Sequence, residues 1–218
     1  IMKSANRIIV VTEYMKKEYL NKYAFLDADK ILVITNGFDE QSFDNIKPIK
    51  YDKFTIVYTG NVRLDRSSPQ HFLEALNALI EKHPSIRNEI QVIFVGSFPD
   101  SCKKIVEKLN LTDIIQIKGQ LSNKESLSHI INASVLLILI TFSKSSQSAM
   151  GTKIFEYLRV KRWILALVPT DGSVANLINS INAGIVVEPM NIKSIKDSIY
   201  ELYLRYKQGI RPDYDNSL

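Results

Sequence analysis

Gly151-Thr152-Lys153-Ile154-Phe155-Glu156-Tyr157-Leu158, with the apolar run Trp163 to Val168 behind it, reads as a helix leading into a buried strand. Ile154, Phe155 and Leu158 fall on one stripe at helical spacing. Glu156 falls on the opposite side, one turn on from Thr152, where a carboxylate faces either water or a ligand. Lys153 adds a positive charge in the first turn, where the helix dipole already favours anions, so a negative partner is expected nearby. On an arbitrary helix these would be solvated charges. The rest of the chain argues for more.

Outward from this stretch, six apolar runs appear: Phe54 to Tyr58, Ile90 to Val95, Ile114 to Ile117, Val135 to Ile140, Trp163 to Val168 and Ile185 to Val187. They are mostly continuous rather than alternating, as parallel strands covered on both faces require. Amphipathic helices separate them. One is expected to start with Ser68 as cap and Pro69 at its first position, and another with the capping box Ser122 and Glu125. The last runs from Asn191 to Gly209. Six βα units predict an α/β fold, a Rossmann-like doubly wound parallel sheet flanked by helices.

In the strand order 3-2-1-4-5-6 the sheet reverses between its first and fourth strands, and ligands bind beyond the carboxyl ends there. The first strand runs into Gly60, Arg63, Arg66, Ser67 and Ser68; the fourth runs into the loop before Lys153 and Glu156. One crevice thus gathers a glycine turn, two arginines, a lysine, a helix start and a glutamate. That chemistry suits a diphosphate carrying a hydroxylated sugar. No G-x-G-x-x-G and no G-K-[ST] follows, which argues against a dinucleotide or P-loop site.

Upstream, Arg7 to Val11 reads as a strand, Thr12 caps a helix from Glu13 to Lys22, and Ile31 to Ile34 is a second strand ending at Asn36-Gly37. The Arg7 strand has no evident sheet to join. Residues 41–52 read as a linker between a remnant of a preceding domain, 1–40, and the main domain, 53–218. The net charge of +5 over 218 residues permits an anionic ligand or membrane surface, without the aromatic-and-basic clustering of a nucleic-acid binder. A single cysteine, Cys102, excludes an internal disulfide and a cysteine-built zinc site, and fits a reducing cytoplasm. His71, His83 and His129 have no partners at metal spacing.

The same residues carry a family likeness. Gly151 to Leu158 plus Trp163 to Leu167 resembles the "G-K-L-F-E-Y-L-A-A-G-K-P-I-L-A" signature of glycogen-synthase-like retaining glycosyltransferases, the glycosyl transferases group 1. Val57 to Pro69 resembles their "Y-T-G" strand and phosphate loop, Ile31 to Phe43 their "V-I-P-N-G-V-D-x-x-x-F" stretch, and Arg7 to Tyr14 the "I-x-V-S-E-Y" before it. Ala183 to Val187 resembles their "A-G-x-x-V" strand. The likeness runs in order over nearly the whole chain.

That resemblance implies one half of a GT-B architecture: the C-terminal, nucleotide-sugar-binding domain of an enzyme in polysaccharide biosynthesis. It implies a UDP- or GDP-sugar as donor substrate, no cofactor and no metal. Glu156 would bond the donor ribose. Gly60, with Arg63 or Arg66, and Lys153 would hold the diphosphate, beside Gly151 and Thr152. Gly119, Gln120 and Leu121 would border the base. Many members place a second glutamate on the donor sugar; Ser148 stands there instead. The missing partner would be an acceptor-binding N-terminal domain, and the location cytoplasmic or peripheral at the inner membrane face. The alternatives are a nucleotide-sugar epimerase of the same architecture and a non-catalytic nucleotide-binding module.

Overall fold

In a computed structural model, residues 1–141 and 146–214 are described. The sequence also reads as a short serine-rich loop from Ser143 to Ser148, and its first part, Ser143 to Ser145, lies outside the described residues. Six strands form one parallel sheet: β3 (Phe54–Thr59), β4 (Ile90–Val95), β5 (Ile115–Gly119), β6 (Val135–Leu139), β7 (Trp163–Leu167) and β8 (Gly184–Val187). Their spatial order is β5-β4-β3-β6-β7-β8, the reversing order expected from the pattern, with its turning point between β3 and β6. All six residues of β3 are buried, which is why its sequence does not alternate.

Three helices cover each face. On one, α2 (Gln70–Lys82), α3 (Asp100–Lys108) and α7 (Ile192–Lys207) bury Phe72, Leu76, Cys102, Ile195 and Leu202 against Phe54, Ile56 and Val92. On the other, α4 (Asn123–Ile131), α5 (Lys153–Arg159) and α6 (Ser173–Ser180) bury Leu127, Ile154, Leu158 and Ile178 against Val57, Ile93 and Ile164. Each such side chain contributes about 1.5–3 kcal/mol by leaving water. The Ser122–Glu125 capping box is formed. α2 differs from expectation. It starts at Gln70 with Pro69 itself in the cap position and no side-chain cap. Ser68 Oγ lies 3.4 Å from the Gln70 amide, too long to cap well, while Ser67 is engaged inside the preceding loop.

The amino-terminal part is a small β-α-β unit. β1 (Ile8–Val10) pairs in parallel with β2 (Ile31–Val33), joined by α1 (Glu13–Lys22), over a core of Val10, Leu26 and Ile31. The Arg7 strand is therefore not an orphan; it finds its partner 23 positions on, Ile8 opposite Ile31. Residues 39–52 lack periodicity yet are packed. Phe43, Ile46 and Tyr51 rest against the α4–α5 core, and Arg159 is ion-paired to Glu40. Among the described residues no helix is long and apolar enough to cross a membrane.

Candidate functional site

The crevice opens where β3 and β6 part. They are in register only at Ile56–Val135 and Val57–Leu136, whereas β3 stays paired with β4 out to Thr59–Val95. The carboxyl end of β3 thus loses its neighbour on one side, and side chains of α5 replace it. The Thr59 amide donates to the Tyr157 hydroxyl at 3.0 Å, and the Thr59 carbonyl accepts from the Lys153 ammonium at 2.5 Å. Lys153 and Tyr157 stand four residues apart on one helix face, so one turn of α5 satisfies both open backbone groups. Burial pushes the Tyr157 hydroxyl well up, keeping it protonated and able to donate in turn to Thr59 Oγ1 at 3.1 Å. Tyr157→Phe should therefore cost about 1–2 kcal/mol, because a buried amide loses its acceptor. Urea unfolding reads this as a lower midpoint at unchanged slope; an unmoved midpoint would contradict the plug.

Around this plug lies a cavity of about 300 Å³ whose walls include Tyr58, Arg66, Leu139, Gly151, Lys153 and Val174. Gly60, just past the lining residue Thr59, lies against the Lys153 ammonium with φ +139°, its amide donating to the Val95 carbonyl at 2.7 Å. A Cβ at Gly60 would overlap the Lys153 ammonium, so the glycine is what admits the cation. The loop after β3 is latched across the opening: Thr141 donates its amide to the Arg66 carbonyl at 2.8 Å and its hydroxyl to the Asp65 carbonyl at 2.9 Å.

The two ionisable groups of α5 are displaced in opposite senses. Burial raises the pKa of Glu156, opposed by the Lys153 charge and a hydrogen bond with Asn123. Burial lowers that of Lys153, opposed by Glu156. Each is the other's partner, and neither is fully compensated. Such pairs gather where a fold keeps charge for a task.

Residues 39–209, most of the chain, match the family model of the glycosyl transferases group 1. The chain belongs to that family. A D-inositol 3-phosphate glycosyltransferase of Kineococcus radiotolerans is 20% identical over 154 residues, covering 63% of this chain and 35% of that protein. The lipopolysaccharide glycosyltransferase WaaG superposes with a TM-score of 0.73 at 16% identity, covering 94% of this chain and 55% of WaaG. HepE of Anabaena, solved with UDP and glucose, gives 0.65 at 15% identity, over 94% of this chain and 55% of HepE. The chain thus spans about a third of the curated relative and about half of these two structures. The fold is the Rossmann-like half of the GT-B glycosyltransferases.

Within this glycosyltransferase domain the residues singled out by sequence fall into two groups. Gly60, Arg66, Gly151 and Lys153 meet at the crevice. Thr152, exposed, occupies the cap position of α5 without a side-chain capping bond. Ser148 is buried in the turn just before it. Gly119 ends β5, and Gln120 and Leu121 follow it toward α4. Asn61 ties that segment to the crevice, its Oδ1 accepting from Gln120 Nε2 at 2.9 Å and from the Ser97 amide at 3.1 Å. Asn123, just beyond, reaches Glu156. Arg63 stands apart. Like Gly60 and Glu156 it is outside the cavity lining, but its side chain is 59% exposed and shares Asp65 with Arg66.

Sequence reasoning missed Tyr157, Asn61 and Gln147. The signal for Tyr157 was a buried phenol on a helix face, which needs a hydroxyl partner. Gln147 accepts from Tyr14 at 2.8 Å and donates to Asp171 at 3.0 Å. With Asn36 donating to the Met150 carbonyl at 3.1 Å, it moors the loop before α5 to the small amino-terminal unit.

Proposed function

We propose that this chain is the donor-binding half of a retaining glycosyltransferase that takes a UDP- or GDP-sugar. The observation that carries this reading is the convergence of the Lys153 ammonium, the Gly60 turn and Arg66 on one cavity at the sheet's reversing point. The leaving group of such a reaction is a nucleoside diphosphate. As the bond from the anomeric carbon to its oxygen breaks, negative charge grows on the diphosphate, and Lys153 and Arg66 offset it. Glu156 holds the ribose hydroxyls and does not react. Gly119 to Leu121 border the base. The UDP and glucose bound by Anabaena HepE support this ligand class. Ser148, at the place of the second glutamate, offers the donor sugar a short neutral contact in place of a carboxylate.

In this reading residues 1–40 belong to a preceding, acceptor-binding domain, 41–52 join the two, and 53–218 bind the donor. The chain alone binds nucleotide and turns over nothing, and the whole protein builds a glycan or lipid-linked sugar in the cytoplasm or at the inner membrane face.

Glu156→Gln tests the assignment. Calorimetric titration should show UDP or GDP binding weakened about tenfold, the worth of one charge-assisted hydrogen bond. Stability should move the other way. The folded pKa of Glu156 is raised, so its contribution is present below the ordinary carboxyl value near 4.5 and is lost as pH rises through the folded value. Glutamine does not ionise, so above that range the variant should melt no lower than wild type. Equal nucleotide affinities for the two proteins would refute the ribose role.

A further inference from the structure

A second cavity, of about 480 Å³, lies at the other end of the same strands. Asp52 precedes β3, Ser134 precedes β6 and Arg162 precedes β7, so it opens at the amino ends of the sheet. β3 has six residues, which at about 3.3 Å each sets this cavity some 20 Å from the crevice. No part of the proposed donor site reaches it.

Its lining is cationic and aromatic. Lys50, Arg162 and Arg211 converge there, and among its described lining residues Asp52 is the one carboxylate. Arg162 is half-buried. Its Nε donates to the Ile131 carbonyl at 2.7 Å, and a second guanidinium nitrogen lies 3.5 Å from Asn132 Oδ1. These neutral partners orient the guanidinium without neutralising it. Arg162 and Arg211 line the same cavity, and burial first, then the charge of Arg211, hold the Arg162 pKa below its usual value. Like charges at a half-buried position are costly until an anion joins them. The wall beside them is Trp163, fixed by its Nε1 donating to the Ile210 carbonyl at 3.1 Å and by Arg205 stacked 4.4 Å from its ring. Two guanidinium groups beside an indole face recognise a phosphate attached to an organic body.

We propose that this amino-end pocket binds the phosphate group of a phosphorylated molecule, with Arg162 and Arg211 holding the anion and Trp163 lining the remainder. The site is separate from the donor crevice.

Trp163 is the single tryptophan of the sequence, so selectively excited emission reports from this wall alone. The 218-residue chain is titrated with inorganic pyrophosphate, and separately with phosphatidylcholine vesicles with and without phosphatidic acid. A saturable change in Trp163 emission is expected, weakened about tenfold or more in Arg211→Gln and retained in Lys153→Ala. Arg211 is exposed, so its replacement should leave the melting temperature unchanged even if Arg162→Gln fails to fold. A response to pyrophosphate identifies a soluble phosphate as the source. A response confined to phosphatidic acid vesicles, and lost in Arg211→Gln, identifies a lipid headgroup. No response to either probe overturns the proposal, as does one that Arg211→Gln leaves intact. A nucleotide titration that fails while Trp163 still responds removes the donor reading and leaves this one standing.

Discussion

Lys153→Ala should weaken UDP or GDP binding about thirtyfold, the equivalent of about 2 kcal/mol for a charged hydrogen-bond donor. One Lys153 proton is committed to the Thr59 carbonyl, and the ammonium lies against Gly60 at the crevice. The remaining protons are those available to a diphosphate. Thermal unfolding should register much less, because two effects oppose. The variant orphans a backbone acceptor, which destabilises, and it removes a cation that burial disfavours, which stabilises. Lys153→Met makes the same two changes but keeps the apolar stem, so it removes the packing loss that alanine adds. Lys153 is exposed as a residue, with its ammonium end held at the Thr59 carbonyl, so the depression of its folded pKa by burial weakens the fold only slightly at neutral pH. That loss is relieved as pH climbs through the folded value toward the ordinary value of 10.5. Wild type should therefore gain on Lys153→Met over that window. Calorimetry that finds nucleotide binding unchanged in both variants would remove Lys153 from the site.

The contrast between large binding loss and small stability loss also explains which features were legible in the sequence. Buried strands write themselves as continuous apolar runs, and the reversing order follows from six such runs separated by helices. Gly60, Arg66 and Lys153 were legible because strand ends at the reversing point converge wherever that order holds. The plug at Thr59 was not. It depends on β3 and β6 separating after two registered pairs, a tertiary feature that no residue at the split announces. Asn61 was hidden for a similar reason. An asparagine after a glycine reads as turn chemistry, and only the proximity of Gln120 and the Ser97 amide turns it into a brace. The pairing of β1 with β2 escaped notice because three-residue strands carry too little pattern. Residues 39–52 bind the core through scattered anchors, Phe43, Ile46 and Tyr51, which have no period to detect.

Gly60→Ala should weaken nucleotide binding about as much as Lys153→Ala, roughly thirtyfold, while leaving a folded protein, whereas Gly96→Ala should not fold. Both glycines lie at positive φ, +139° and +123°, where an alanine carries about 1–3 kcal/mol of backbone strain. Their surroundings separate them. A Cβ at Gly96 would overlap the backbone carbonyl of Gly60, and strands β3 and β4, in register through Thr59 and Val95, hold that carbonyl in place. A Cβ at Gly60 meets the end of the Lys153 side chain, which can swing away and take its charge out of the crevice. A double-mutant cycle isolates that collision. Lys153→Ala removes the atom with which the new methyl group would clash. The stability lost in the double variant should then fall short of the two single losses summed, by about 1 kcal/mol or more. Denaturant unfolding of the four proteins measures it. Strict additivity would mean that the ammonium does not rest on Gly60, and the cationic site on which donor binding is argued would go with it.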